Sequence, residues 1–194
     1  MASFTDPQTD VVPLGVAVRE LWVRARTVER RYLLSLAVAV PLAGLALARF
    51  GLSGRFVLAA GLIVVLCLLS AIDIAERRLP NRIVLPAFVL VLAAQSIFVP
   101  ERALEWAAAA IGAALVLLLP LLVRPEGVGM GDVKLALLLG AALGTDVIGA
   151  LLVASVAAAC YAVVLLARDG AAARRATIPL GPFLALGGIA VLLV

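Results

Sequence analysis

The sequence predicts an all-α fold, a polytopic integral membrane bundle of about six to seven transmembrane helices, on three observations. Of 194 residues, 65% are hydrophobic and 14% are charged, whereas a soluble domain is about half apolar and about a quarter charged. Apolar segments of roughly 17–25 residues, each long enough to cross a bilayer, recur along nearly the whole chain. The basic residues, finally, divide unevenly between alternate connections.

Residues 1–32 form the polar stretch at the start of the chain, and residues 33–194 form the membrane-embedded domain. Within "VRELWVRARTVERRY", Val18, Leu21, Trp22, Ala25 and Val28 fall on one helical face, with mostly arginines on the other. Two readings stand open for this segment: a basic amphipathic helix on an anionic membrane surface, or a solvated tail whose arginines fix topology. Seven spans follow, near residues 33–48, 55–72, 83–99, 104–123, 133–144, 146–167 and 178–194. The fifth is short, and with the sixth it can form one bent element broken near Gly144-Thr145. Short connections make consecutive spans antiparallel neighbours. An N-terminus on the cytoplasmic side places 13 of the 16 basic residues there and leaves Arg49, Arg55 and Arg102 on the far side. An odd span count then puts the C-terminus outside. Topology thus accounts for the net charge of +4 without a nucleic-acid partner.

Histidine is absent, which removes Ser-His and Cys-His nucleophilic catalysis and HExxH zinc chemistry. Cys67 and Cys160 lie inside apolar runs, form no CxxC pair, and are expected to be buried small hydrophobes. No metal and no cofactor is expected. Acid–base chemistry therefore falls to carboxylates, lysine or tyrosine.

Two aspartates fit that role. Asp73 ends the second span and Asp132 opens the fifth, 59 residues later, so the topology brings both to the cytoplasmic face at one depth. Nothing prevents their helices from packing side by side. Two carboxylates at short range in a low-dielectric site share a proton, the arrangement in which one carboxylate activates water and the other protonates a carbonyl oxygen. In "GMGD", Gly129 and Gly131 leave no side chain between the backbone and a bound peptide, and Asp132 stands in the first turn of its helix.

Three stretches in this order resemble the type IV prepilin peptidases, membrane aspartic proteases of the GxGD type. "DIAERRLPNRIVLP" is similar to the first catalytic segment, through Asp73, Pro80, Asn81 and Pro86. "GMGDVKLALLLGAALG" is similar to the second, through Gly129, Gly131, Asp132 and Lys134. "IPLGPFLALGGIAVLL" is similar to the last span, through Pro179, Gly181, Pro182, Phe183 and Gly187. The resemblance implies that Asp73 and Asp132 are catalytic, that Gly129 and Gly131 form a mobile loop at the substrate, and that Pro80, Asn81, Pro179, Gly181 and Pro182 are structural. Lys134 has two readings, a substrate or carboxylate contact and a topological anchor, and Glu76 and Glu126 are weaker candidates for contact with a basic leader. The implied reaction is endopeptidase cleavage of the leader from a membrane-inserted prepilin or pseudopilin at the cytoplasmic surface, in a cell membrane. The paired CxxC motifs of the methyl-transferring members are missing, so a compact form without that activity is expected. Homo-oligomerisation stays open. Presenilin-like proteases fit less well, because Ile72 precedes Asp73 and "PLGP" closes the set. The rival outside enzymes is a proton- or cation-coupled transporter or scaffold using the same aspartates.

Overall fold

A computed structural model describes residues 33–123, 129–170 and 178–194; the predicted amphipathic segment 1–32 lies outside them. The described residues are helical with no strand. In chain order the helices are α1 (Leu33–Phe50), α2 (Gly54–Glu76), α3 (Asn81–Phe98), α4 (Ala103–Val123), α5 (Met130–Leu143), α6 (Val147–Asp169) and α7 (Gly181–Leu193). Five helical stretches are long and apolar enough to cross a membrane, counting Met130–Asp169 as one of 40 residues, and α7 is a shorter apolar helix. The outer faces of α1, α3, α4 and α6 carry exposed Leu34, Val40, Leu90, Ile97, Ile111, Leu119, Leu152 and Val163. A continuous apolar exterior of this kind belongs in lipid, so the chain is a multi-pass membrane protein.

Local chemistry sets the helix ends. Ser53 caps α2 by accepting the Phe56 N–H at 3.3 Å. Pro100, which cannot continue a helix, follows α3 and starts a single 3-10 turn, Pro100–Arg102, before α4. The predicted break at Gly144-Thr145 is a 3-10 turn, Gly144–Asp146, and Gly144 takes a positive φ of 62° there. That turn reverses the chain. α7 meets α6 with Gly187 beside Ala150 and Gly149 beside Val191, and it meets α2 with Gly181 beside Asp73 and Gly188 beside Leu66. It is therefore antiparallel to both. Arg49 at the end of α1 donates to the Leu193 carbonyl at the end of α7 at 3.2 Å. Consecutive helices thus alternate in direction from α1 to α7, and the two ends of the described chain lie on opposite faces, as an odd span count requires.

α5 is the central helix. At 14 residues it extends about 21 Å at 1.5 Å per residue, too short for a hydrocarbon layer of about 30 Å. Leu135, Leu138 and Leu139 are fully buried and meet Ile63, Leu66 and Leu69 of α2 and Leu184 of α7 in one core. Lipid is as apolar as leucine, so helix association here depends on close backbone approach through small residues. Gly140 of α5 lies against the backbone of Ala109 and Ala110 in α4, and Gly187 of α7 against the Ala150 carbonyl of α6. Cys67 is buried as expected, but Cys160 is exposed on α6, which corrects its reading as a core residue. An apolar run is equally compatible with facing lipid.

Candidate active site

Asp73 stands one turn before the end of α2. The helix stops at Arg77, in the left-handed region at φ 52°, whose N–H closes onto the Asp73 carbonyl at 2.8 Å. The Asp73 side chain is tied to another helix: Gly181 N–H donates to its Oδ2 at 3.0 Å, in a buried setting. Gly181 is the first residue of α7, and Leu180 before it provides no side-chain cap. A helix start leaves four N–H groups unsatisfied. Asp73 takes one of them and acts as the missing cap from 108 residues away, facing the positive end of the α7 dipole.

Asp132 does the same for its own helix. Gly129, at the N-cap of α5, has no side chain, and its N–H donates to Asp132 Oδ2 at 3.2 Å while Asp132 N–H donates to the Gly129 carbonyl at 3.0 Å. Each carboxylate thus fixes one oxygen on a backbone N–H and keeps Oδ1 outside that bond. Asp73 and Asp132 are 6% and 9% exposed, and among the described residues they are the charged side chains that are buried. They lie at the same end of the bundle, within electrostatic reach of each other.

Side-by-side packing of α2 and α5 does not occur; α7 lies between them and contacts both. The cause is the set of glycines that thin α7. A Cβ on Gly188 would stand 2.5 Å from Leu139 Cδ2, and one on Gly181 would stand 2.6 Å from Asp73 Oδ2. A second link runs through the turn after α2. A Cβ on Gly131 would lie 2.9 Å from Leu79 Cβ, so a bare backbone at 131 lets the start of α5 rest on that turn. Lys134 Nζ donates to Asn81 Oδ1 at 2.8 Å across the same junction.

The other anticipated residues distribute around this pair. Pro80 caps α3 and accepts the Ile83 N–H at 3.0 Å through its carbonyl, and Asn81 is the first helical residue. Pro179 precedes α7 and Pro182 occupies its first turn, both half-buried. Lys134 is directed to Asn81, Glu76 is exposed in the last turn of α2, and Glu126 lies outside the described residues. Among the described residues, no group of three or more His, Cys, Asp or Glu stands where it could hold a metal ion. Sequence reasoning gave Gly181 only a structural part and missed its direct bond to Asp73. The available signal was a helix start at "LGPF" without Ser, Thr, Asp or Asn to cap it.

Fold and site together define a multi-pass membrane protein with two buried aspartates, brought to one end of a helix bundle and held there by helix-start amides. Residues 60–163 match the family model described as the type IV leader peptidase family, and the chain belongs to that family. It is similar to the prepilin leader peptidase/N-methyltransferase of Burkholderia pseudomallei strain 1026b, with 36% identity over 187 residues. The counterpart from strain K96243 matches to the same extent. The match covers 91% of this chain and 59% of each relative. No solved structure gives a significant match. Nothing in these comparisons points to a transporter.

Proposed function

We propose that this chain is an aspartic endopeptidase that removes the leader from type IV prepilin-like precursors, with Asp73 and Asp132 as its catalytic pair. One observation carries the reading. Two carboxylates, buried in a lipid-embedded chain, lie at one end of the bundle, each with an oxygen left outside its backbone hydrogen bond. Membership of the leader peptidase family supports the reaction and the substrate class.

The pair grips one water molecule. The ionised carboxylate takes a proton from that water as it attacks the scissile carbonyl, and the protonated carboxylate donates to the carbonyl oxygen. Collapse of the tetrahedral species breaks the C–N bond, with a proton delivered to the leaving amine. The backbone bonds from Gly181 and Gly129 hold both carboxylates in register through these transfers. The excess of basic residues at the aspartate end makes that end cytoplasmic, which is where a basic leader joins the apolar helix of a membrane-inserted precursor. Gly129 and Gly131 border the site without side chains, leaving room for an unwound stretch of substrate backbone.

Coexpression with a pilin precursor tests this reading. Wild-type protein is expected to convert the precursor to the faster-migrating mature form on a gel, and Asp73→Asn and Asp132→Asn, at equal membrane levels, to leave it uncut. Processing by either variant refutes the assignment.

A further inference from the structure

At the end of the bundle opposite the aspartates, a cavity of about 290 Å³ opens between α2, α3 and the end of α5. Leu62 and Val91 line its apolar wall, and Arg55, Gln95, Arg102 and Asp146 supply its polar groups. Two of the four are already engaged. Arg102 makes a bidentate pair with Glu105, at 2.8 and 2.7 Å, and Gln95 Nε2 donates to the Ala142 carbonyl at 3.0 Å. Arg55 and Asp146 are exposed and, among the described residues, form no ion pair with each other or with any other group. Arg55 and Asp146, neither of them in an ion pair among the described residues, thus border the same cavity, and Asp146 also lies in the field of the Arg102 guanidinium, whose charge Glu105 already pairs.

Depth narrows the ligand. Arg55 precedes Asp73 by 18 residues on one helix, about 27 Å at 1.5 Å per residue, against a hydrocarbon thickness of about 30 Å. Arg55 therefore lies at headgroup level in the leaflet opposite the aspartates. Val57 and Leu90 on the flanking helices are exposed to lipid. A group that joins a phosphate to a primary ammonium and continues into an acyl chain matches the guanidinium, the carboxylate and the apolar wall together.

We propose that this cavity holds the headgroup of a phosphatidylethanolamine-type lipid, its phosphodiester at Arg55 and its ammonium at Asp146. Phosphatidylcholine offers the same phosphate and chains, but its methylated nitrogen has no N–H to donate to Asp146. Phosphatidylglycerol lacks the cation altogether. The site is independent of the catalytic assignment and is read without any peptide substrate.

Native mass spectrometry of the delipidated protein in detergent, with each of the three lipids added in turn, provides the test. Wild-type protein is expected to retain one phosphatidylethanolamine at least about tenfold better than either alternative, the size of one charge-assisted hydrogen bond. Equal retention of all three overturns the proposal with no variant required. Asp146→Asn should erase the preference for ethanolamine over choline by lowering retention of phosphatidylethanolamine more than that of phosphatidylcholine, whose quaternary nitrogen loses only the Coulomb attraction, and Arg55→Ala should lower retention of both. A preference that persists in Asp146→Asn also overturns it. Inorganic phosphate is the competitor that separates a lipid site from an anion site. It should fail to displace the lipid at millimolar concentration, and displacement would mean that a free anion is the ligand.

Discussion

Gly181 is where a single methyl group should separate folding from catalysis. In Gly181→Ala the new Cβ would lie 2.6 Å from Asp73 Oδ2 and 3.0 Å from its Cγ, closer than such atoms approach, so one side must yield. α7 has nowhere to retreat, because Gly187 already rests on the Ala150 carbonyl and Gly188 on Leu139. The carboxylate therefore swings away and gives up the 3.0 Å bond from the Gly181 N–H. A hydrogen bond to a charged group is worth about 1.5–3 kcal/mol. At about 1.36 kcal/mol per factor of ten in rate, kcat/KM for precursor cleavage should fall roughly tenfold to a hundredfold. Alanine is the better helix former, so the helix itself is not weakened. Gly61→Ala in α2 is the control, since a Cβ there meets nothing within 4 Å. The assay is precursor cleavage by purified protein, normalised to the folded fraction. A Gly181→Ala protein within about twofold of Gly61→Ala would refute the claim that the α7 amide positions Asp73.

Gly131→Ala should drive the start of α5 off Leu79, where the new contact would be 2.9 Å, and lower cleavage. Adding Leu79→Gly, which removes the Cβ that Gly131→Ala would strike, should recover much of the loss, and a double-mutant cycle reads the coupling. The Lys134–Asn81 bond is exposed, so Lys134→Met and Asn81→Ala should each cost no more than about 1 kcal/mol of thermal stability. Their double variant should cost less than the sum. Gly187→Ala meets backbone at the Ala150 carbonyl and cannot be relieved by a side-chain rotation. Overpacking of about 1–3 kcal/mol should lower its Tm, in contrast to Gly181→Ala, whose obstacle is a side chain.

Spans were legible because hydropathy and length are properties of the chain alone, and the Gly144-Thr145 break appears as the 3-10 turn that reverses α5 into α6. The placement of Asp73 and Asp132 at one end of the bundle followed from counting spans between them. Hydropathy gave no account of which apolar surface meets protein and which meets lipid. α1 and α5 are both largely apolar, yet α1 displays Leu33, Leu34 and Val40 to lipid while α5 buries Leu135, Leu138 and Leu139. Cys160 was misplaced for that reason. The insertion of α7 between α2 and α5 was equally invisible, because the Gly181–Asp73 bond joins residues 108 apart and leaves no periodic trace in sequence. Lys134 and Asn81 were each noticed in their own motif, but their pairing depends on how the α2–α3 turn seats on α5.

Cross-linking offers the most direct test of the central geometry. In a protein with Cys67→Ala and Cys160→Ala, Asp73→Cys and Asp132→Cys are combined and treated with a short bis-maleimide, with Asp73→Cys and Asp146→Cys as the control pair from opposite ends of the bundle. Rapid intramolecular bridging of 73 to 132, and none of 73 to 146, is the predicted result. Failure of the 73–132 pair to bridge, or equal bridging of both pairs, would contradict a shared carboxylate site.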